Sequence, residues 1–407
     1  MLLFKEKSFK MKKIILFFLF YTITLFSNEK YLILADGNSW SAHTPENFIQ
    51  NHNKISKLPF SGFVVVGNTF TNRCMKKNNK LNYEKVWNEV KGLKNLYKKQ
   101  THNFLQINID FPADFWDDKA WENVTYNFSI VAKAAKTLGF KGIVFDDEPY
   151  SKSAKRMINF KFPTKNEIQK DPKKYTSWEK KGSEANWVDI DSYRNIQYTF
   201  NEHVTQVQSR FKKIMSSMVK EFPELSLIVY LGPSLSHVNS NKDYPIVINM
   251  GLPRENELHG AIFIGLKQGL GPLSSLHDMG ESYKYRKTKH FGHAYQWRKY
   301  NIAKNKYNDT LNSNFQWIVP KKERRTWSKE VDVGFMVFNK GEKSTYQEYN
   351  TLHTSTLNDI KNTLQKALKF SDKYVIYYCQ DQEWLLPQKY PVPTRWKKMI
   401  KEIHDKH

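Results

Sequence analysis

Lys141-Gly142-Ile143-Val144-Phe145-Asp146-Asp147-Glu148-Pro149-Tyr150 is the stretch that decides how this chain folds. A short apolar run opens on glycine and ends in three carboxylates and a proline. Side chains alternate along a strand, so Val144, Asp146 and Glu148 share one face while Ile143 and Phe145 share the other. The apolar pair suits packing against helices. Asp146 and Glu148 then point inward, at the strand's C-terminal end. Two carboxylates this close repel, and burial disfavours charge. One of them is expected to keep a proton near neutral pH, as a general acid must.

Outward from that strand, seven more apolar runs follow the same grammar: Tyr31–Ala35, Gly62–Val66, Phe104–Ile109, Leu227–Leu231, Leu276–Tyr285, Gly334–Phe338 and Tyr374–Cys379. The sixth of the eight in chain order, Leu276–Tyr285, is interrupted by His277, Asp278 and Gly280. Helical periodicity lies between the runs. Ile196, Phe200, Val204, Val207, Phe211, Ile214 and Met218 recur at steps of four and three, and Leu352, Leu357, Ile360, Leu364 and Leu368 form a second helical set. Segments 82–99 and 120–138 also read as helices. Eight strands alternating with helices predict an α/β fold, a single (β/α)8 TIM barrel spanning 28–407. An open doubly wound sheet is the other arrangement of such units, but no G-x-G-x-x-G follows the first strand. The connection from Pro149 to about Ile190 is a long loop after strand four, at the end of a barrel where active sites are built.

Composition narrows the class. The chain has 407 residues, 40% hydrophobic and 15% aromatic, enough for a large core and too aromatic for a disordered chain. Two cysteines, Cys74 and Cys379, cannot staple it and lack metal spacing, so buried reduced thiols are expected. The 64 Lys and Arg against 40 Asp and Glu give a net charge of +24. Lysine is spread along the whole chain beside abundant asparagine, and no nucleic-acid-binding signature accompanies it, so no nucleic-acid partner is expected. Lys5, Lys7, Lys10, Lys12 and Lys13 precede an apolar run from Ile14 to Phe26. That is the layout of a secretory signal over residues 1–27, predicting a secreted or periplasmic protein with no membrane span once the leader is cleaved.

The Gly142-Ile143-x-x-Asp146-x-Glu148 stretch resembles the end of the family-18 chitinase motif D-G-x-D-x-D-x-E, which also lies on barrel strand four. The resemblance implies that Glu148 is the general acid and that Asp146 orients the substrate. Lys141 and Val144 replace the two earlier aspartates of the motif, which puts substrate-assisted chemistry in question. Glu148-Pro149 is similar to the Asn-Glu-Pro of clan A retaining glycosidases, with Asp147 in place of Asn. Residues 30–390 more broadly resemble bacterial glycosyl hydrolases of this barrel class. The implied activity is glycoside hydrolysis of an oligo- or polysaccharide, without cofactor or metal.

Such chemistry commonly uses two facing carboxylates. Glu281, set among Tyr283 and Tyr285, is the expected partner, with Glu383 after the last strand as the alternative. Strand seven ends in Asn339 and Lys340, where clan A enzymes carry an acid. Asp36, Asp147, Tyr150, Tyr283, Glu383 and Trp384 are expected to bind substrate, and Asp110 is a further acid at the mouth. Of Trp40, Trp116, Trp297, Tyr283 and Trp384, some two are expected to line a cleft and stack on sugar rings. Two other readings stay open. One is a glycan-binding surface protein on a barrel that has lost catalysis. The other is a metal-dependent hydrolase in which Asp146, Asp147 and Glu148, joined by His277 and Asp278, hold a hard cation.

Overall fold

The computed structural model describes residues 29–36, 40–109, 114–149, 158, 198–233, 258–280, 285–304, 318–339, 356–379, 383–385 and 391–407. Within them nine strands form one parallel sheet: β1 Tyr31–Asp36, β2 Gly62–Val65, β3 Phe104–Asn108, β4 Gly142–Asp146, β5 Ser226–Val229, β6 Ser275–Asp278, β7 Val331–Val333, β8 Phe335–Asn339 and β9 Tyr374–Cys379. Their order is β7-β6-β5-β4-β3-β2-β1-β9-β8. First and last elements thus meet in the middle, with β1 and β9 in register from Tyr31 opposite Tyr374 to Asp36 opposite Cys379.

The two outer strands of that order, β7 and β8, are successive pieces of one chain segment separated by Gly334. The Gly334 amide continues the ladder to β6 by donating to the Asp278 carbonyl at 2.8 Å, and β8 pairs with β9 from Phe335 onward. The sheet therefore closes on itself as a (β/α)8 barrel whose seventh stave is broken. Gly334 is required at the break. A Cβ there would stand 2.4 Å from Met279 Sδ and 2.7 Å from the Tyr374 carbonyl oxygen.

Eight helices of six or more residues are described: α1 Pro45–Gln50, α2 Tyr83–Val90, α3 Asp118–Leu138, α4 Phe200–Glu221, α5 His259–Gln268, α6 Thr288–Gln296, α7 Leu357–Phe370 and α8 Thr394–His404. Their starts are written in the sequence. Asp117 accepts the Ala120 amide at 3.0 Å to cap α3, and Thr199 and Glu202 form a reciprocal capping box on α4. Trp121 of α3 meets Phe211 of α4 edge-on at 5.6 Å, beneath Phe145. Trp121 and Phe211 are fully buried; each such side chain contributes roughly 1.5–3 kcal/mol.

Strand alternation divides the apolar residues into two cores. Ile143, Phe145, Leu227, Val229 and Leu276 belong to the layer between sheet and helices. Ile33, Val64, Phe104, Val144, Ile228, Met336 and Ile376 fill the barrel interior. Two expectations shift. The sixth strand, read as Leu276–Tyr285, ends at Asp278 because the chain turns at Gly280, where φ is +47°. The seventh, read from Gly334, already begins at Val331. No helix among the described residues is long and apolar enough to cross a membrane. The predicted leader, residues 1–27, lies outside the described residues.

Candidate active site

The mouth of the barrel is built from strand ends. Asp146 is the last residue of β4, shares the inward face with Val144, and is 2% exposed. On the neighbouring strand, Gln106 and Asn108 occupy the same face. Gln106 Nε2 donates to Asn108 Oδ1 at 2.8 Å and approaches Asp146 Oδ2 at 3.4 Å. Asn108 Nδ2 donates onward to Asn72 Oδ1 at 2.8 Å, in the exposed turn after β2. A line of amides therefore leads from the surface to Asp146. Tyr230, just beyond β5, closes the other side. Burial first, then the charge of Asp146 and the hydroxyl of Tyr378, raise its pKa well above the usual phenol value. Its hydroxyl is buried and has no hydrogen-bond partner among the described residues.

Glu148 sits one step above. Its amide donates to Asp146 Oδ1 at 3.1 Å, and its side chain is partly exposed. Asp146 thus fixes the backbone from which Glu148 projects. Pro149, which has no amide hydrogen, prevents strand pairing from continuing past this point.

Asp147 departs from its expected role. It follows Ile143 and Phe145 onto the helix side, is 0% exposed, and its Oδ1 accepts the Leu231 amide at 2.8 Å. The same alternation rule that turns Asp146 inward turns Asp147 away from any substrate. The two aspartates lie on opposite faces of the strand, so they cannot act as joint ligands of one cation. Among the described residues no group of three or more His, Cys, Asp or Glu side chains converges in a metal-binding arrangement.

Trp384 also moves from expected cleft to core. It is 4% exposed, edge-on to Phe60 at 5.0 Å and to Tyr377 at 6.0 Å, on the outer face of β9. Glu383 is half-buried beside it and bridges in backbone to Pro391. Trp116 is half-buried, stacked on Tyr198 at 3.5 Å with His203 edge-on. Trp297 is half-buried in the turn after α6. Asp36 ends β1 with its backbone opposite Cys379; its side chain and that of Trp40 lie outside the described residues, as do Asp110, Tyr150, Glu281 and Tyr283. Of the long connection after β4, Ile158 is described: it is buried, and its carbonyl accepts the Leu258 amide at 2.8 Å before α5. At the end of β8, Asn339 is fully buried and its Nδ2 donates to Tyr377 Oη at 2.7 Å. Cys74 and Cys379 are buried thiols outside any disulfide, as expected, and Asn339 Nδ2 lies 4.0 Å from Cys379 Sγ.

The inward amides and Tyr230 were not singled out by the sequence reading. The signal was there for two of them. In Phe104-Leu105-Gln106-Ile107-Asn108, polar residues alternate with apolar ones at the strand period, on the face that carries Asp146 next door.

The opposite end of the interior is a closed floor. Ser226 Oγ, Ser275 Oγ and His277 Nε2 join at 2.9 and 2.9 Å, and His277 Nδ1 lies 3.4 Å from Asp332 Oδ2. His102 Nδ1 meets Tyr374 Oη at 3.1 Å. Burial, then nearby lysines, hold both histidines neutral, with pKa values lowered to about 3. A cavity of about 300 Å³ lies at this end too, lined by Tyr97, Gln100, Asn103, Phe140 and Lys141, and is remote from the mouth.

No protein-family model matches the chain, and no curated protein matches it. Solved structures similar to it include a β-mannanase from the blue mussel Mytilus edulis, at 9% identity over 92% of each chain with a TM-score of 0.45. A psychrophilic family-10 endo-β-1,4-xylanase matches at 9% identity over 92% of this chain and 97% of the other, with a TM-score of 0.44. A broad-specificity endoglucanase from an uncultured bacterium matches at 11% identity over 93% of each chain, with a TM-score of 0.43. The resemblance to barrel glycoside hydrolases is thus distant, and it assigns this chain no substrate.

Proposed function

We propose that this chain is an exported glycoside hydrolase that binds an oligo- or polysaccharide at the barrel mouth, with Glu148 as general acid. One observation carries the reading: Asp146 is buried on the inner face of β4 and accepts the Glu148 amide, so a partly exposed carboxyl is held at the mouth directly above a second one. Glu148 protonates the leaving glycosidic oxygen, and Asp146 positions it. Glu281 or Glu383 supplies the second carboxylate. A separation of about 5–5.5 Å between the two working carboxyls predicts retention of configuration, and about 6.5–9.5 Å inversion. Export is inferred from the cationic and apolar start of the sequence.

The test is Glu148→Gln, which keeps the shape and removes the titrating proton. Loss of general-acid catalysis lowers turnover by about 10²–10⁴-fold on a good substrate while leaving sugar affinity in place. A wild-type chain that binds glycans but cleaves nothing across aryl glycosides and polysaccharides supports a second reading, a glycan-binding barrel. The buried Asn339, at the strand end where clan A enzymes carry an acid, favours that second reading.

A further inference from the structure

Two carboxylates outside the proposed site sit where the strand tips meet the helices. Asp147 follows β4 and Asp278 ends β6, and both are 0% exposed. They flank a single turn at the tip of β5. Asp147 Oδ1 accepts the Leu231 amide at 2.8 Å. The next residue, Gly232, has a φ of +66°, and a Cβ on it would stand 2.2 Å from Asp278 Oδ1. Only glycine lets the β5 tip pass between the two acids.

Among the described residues, Arg298 and the titratable His259 face the pair. Arg298 Nη1 donates to the Asp278 carbonyl oxygen at 2.9 Å and lies 3.6 Å from Asp278 Oδ1. Its guanidinium is buried over the Phe335 ring, 4.6 Å from the centroid. From α5, His259 Nε2 meets the Asp147 carbonyl oxygen at 3.0 Å. Among the described residues, Asp147 Oδ2 and both carboxylate oxygens of Asp278 have no hydrogen-bond partner. With His259 neutral, two ionised carboxylates against the Arg298 guanidinium would leave one buried negative charge in excess among the described residues, which protein interiors avoid by neutralising the group.

We propose that Asp147 and Asp278 hold one proton between them in mild acid, and that this neutralised cluster with Arg298 clamps the tips of β4, β5 and β6 around the mouth. The local fields agree. Burial pushes each carboxyl up to about 6, opposed at Asp147 by His259 and the Leu231 amide and at Asp278 by Arg298, while the Asp147 charge raises Asp278 further. A carboxyl whose pKa rises on folding stabilises the fold fully below its unfolded value of about 4. That contribution is lost as pH climbs through the folded value. The clamp is therefore tightest at about pH 4, loosens as pH rises toward about 6, and is lost above that.

The experiment is thermal melting of the full chain from about pH 5 to about pH 8, for the wild type, Asp278→Asn and Asp147→Asn. The expected result is a wild-type melting temperature that falls by about 2 °C more across that range than either variant's. An identical pH dependence in wild type and variants overturns the proposal. Should one variant fail to fold, the wild type still decides by infrared spectroscopy. A protonated-carboxyl carbonyl band at mildly acidic pH that vanishes in alkali supports the clamp, and its absence at every pH refutes it. No readout involves a substrate, so failure here leaves the Glu148 reading standing, and an inactive Glu148 leaves the clamp standing.

Discussion

At the floor of the barrel, Ser226, Ser275, His277 and Asp332 join hand to hand, and His102 and Tyr374 pair beside them. At the mouth, Asp146 accepts the Glu148 amide at 3.1 Å and a long 3.4 Å contact from Gln106, while among the described residues the buried Tyr230 hydroxyl receives none. The floor cluster pairs its own side chains and gains rigidity. The mouth leaves the Tyr230 hydroxyl unpaired, at a cost of about 1–3 kcal/mol. This is the division of a (β/α)8 barrel between an end that stabilises and an end that acts.

Four substitutions break or sharpen that contrast, taken from the largest expected effect downward. Glu148→Gln, at the mouth, removes the proposed acid and costs about 10²–10⁴ in turnover, with the denaturation midpoint unmoved. Gly334→Ala strikes the closure between the two ends. Its new methyl overlaps Met279 and the Tyr374 carbonyl, so destabilisation of about 3 kcal/mol is expected from urea unfolding. His277→Ala, at the floor, opens a cavity and leaves Ser275 with Ser226 as its remaining partner in the cluster, costing about 2–3 kcal/mol. It also removes a pH dependence. A histidine lowered on folding contributes stability that is present above its unfolded pKa of about 6.5 and fades as pH falls toward about 3, so the variant loses less in acid. Floor and clamp therefore respond to acid in opposite senses. The smallest effect is Tyr230→Phe, which deletes the unpartnered hydroxyl. The free protein keeps its stability or gains up to about 1 kcal/mol, while sugar affinity in a binding titration falls.

Alternation along each strand made most of the barrel legible. Apolar runs bounded by turns located all eight staves, and the last was read to the residue, Tyr374–Cys379. The broken seventh was read short because Val331-Asp332-Val333 is brief and Gly334 interrupts it. Its need for glycine comes from Met279 and Tyr374, far away in the sequence. Asp146 was placed correctly from its neighbours alone. Asp147 was grouped with substrate contacts because three acids in a row look like one cluster, although the same period of two splits them between faces. Trp384 was misplaced because nothing local distinguishes a sugar-stacking tryptophan from one wedged between Phe60 and Tyr377.

The pairing of β1 with β9 over six residues has a consequence for biosynthesis. The first strand made must wait, one edge bare, until the ribosome has delivered residues 374–379. A cylinder sealed by its final stave cannot close early. Until then the nascent chain is an open sheet with an exposed edge, and holding that edge apart from other chains is a task set by topology alone.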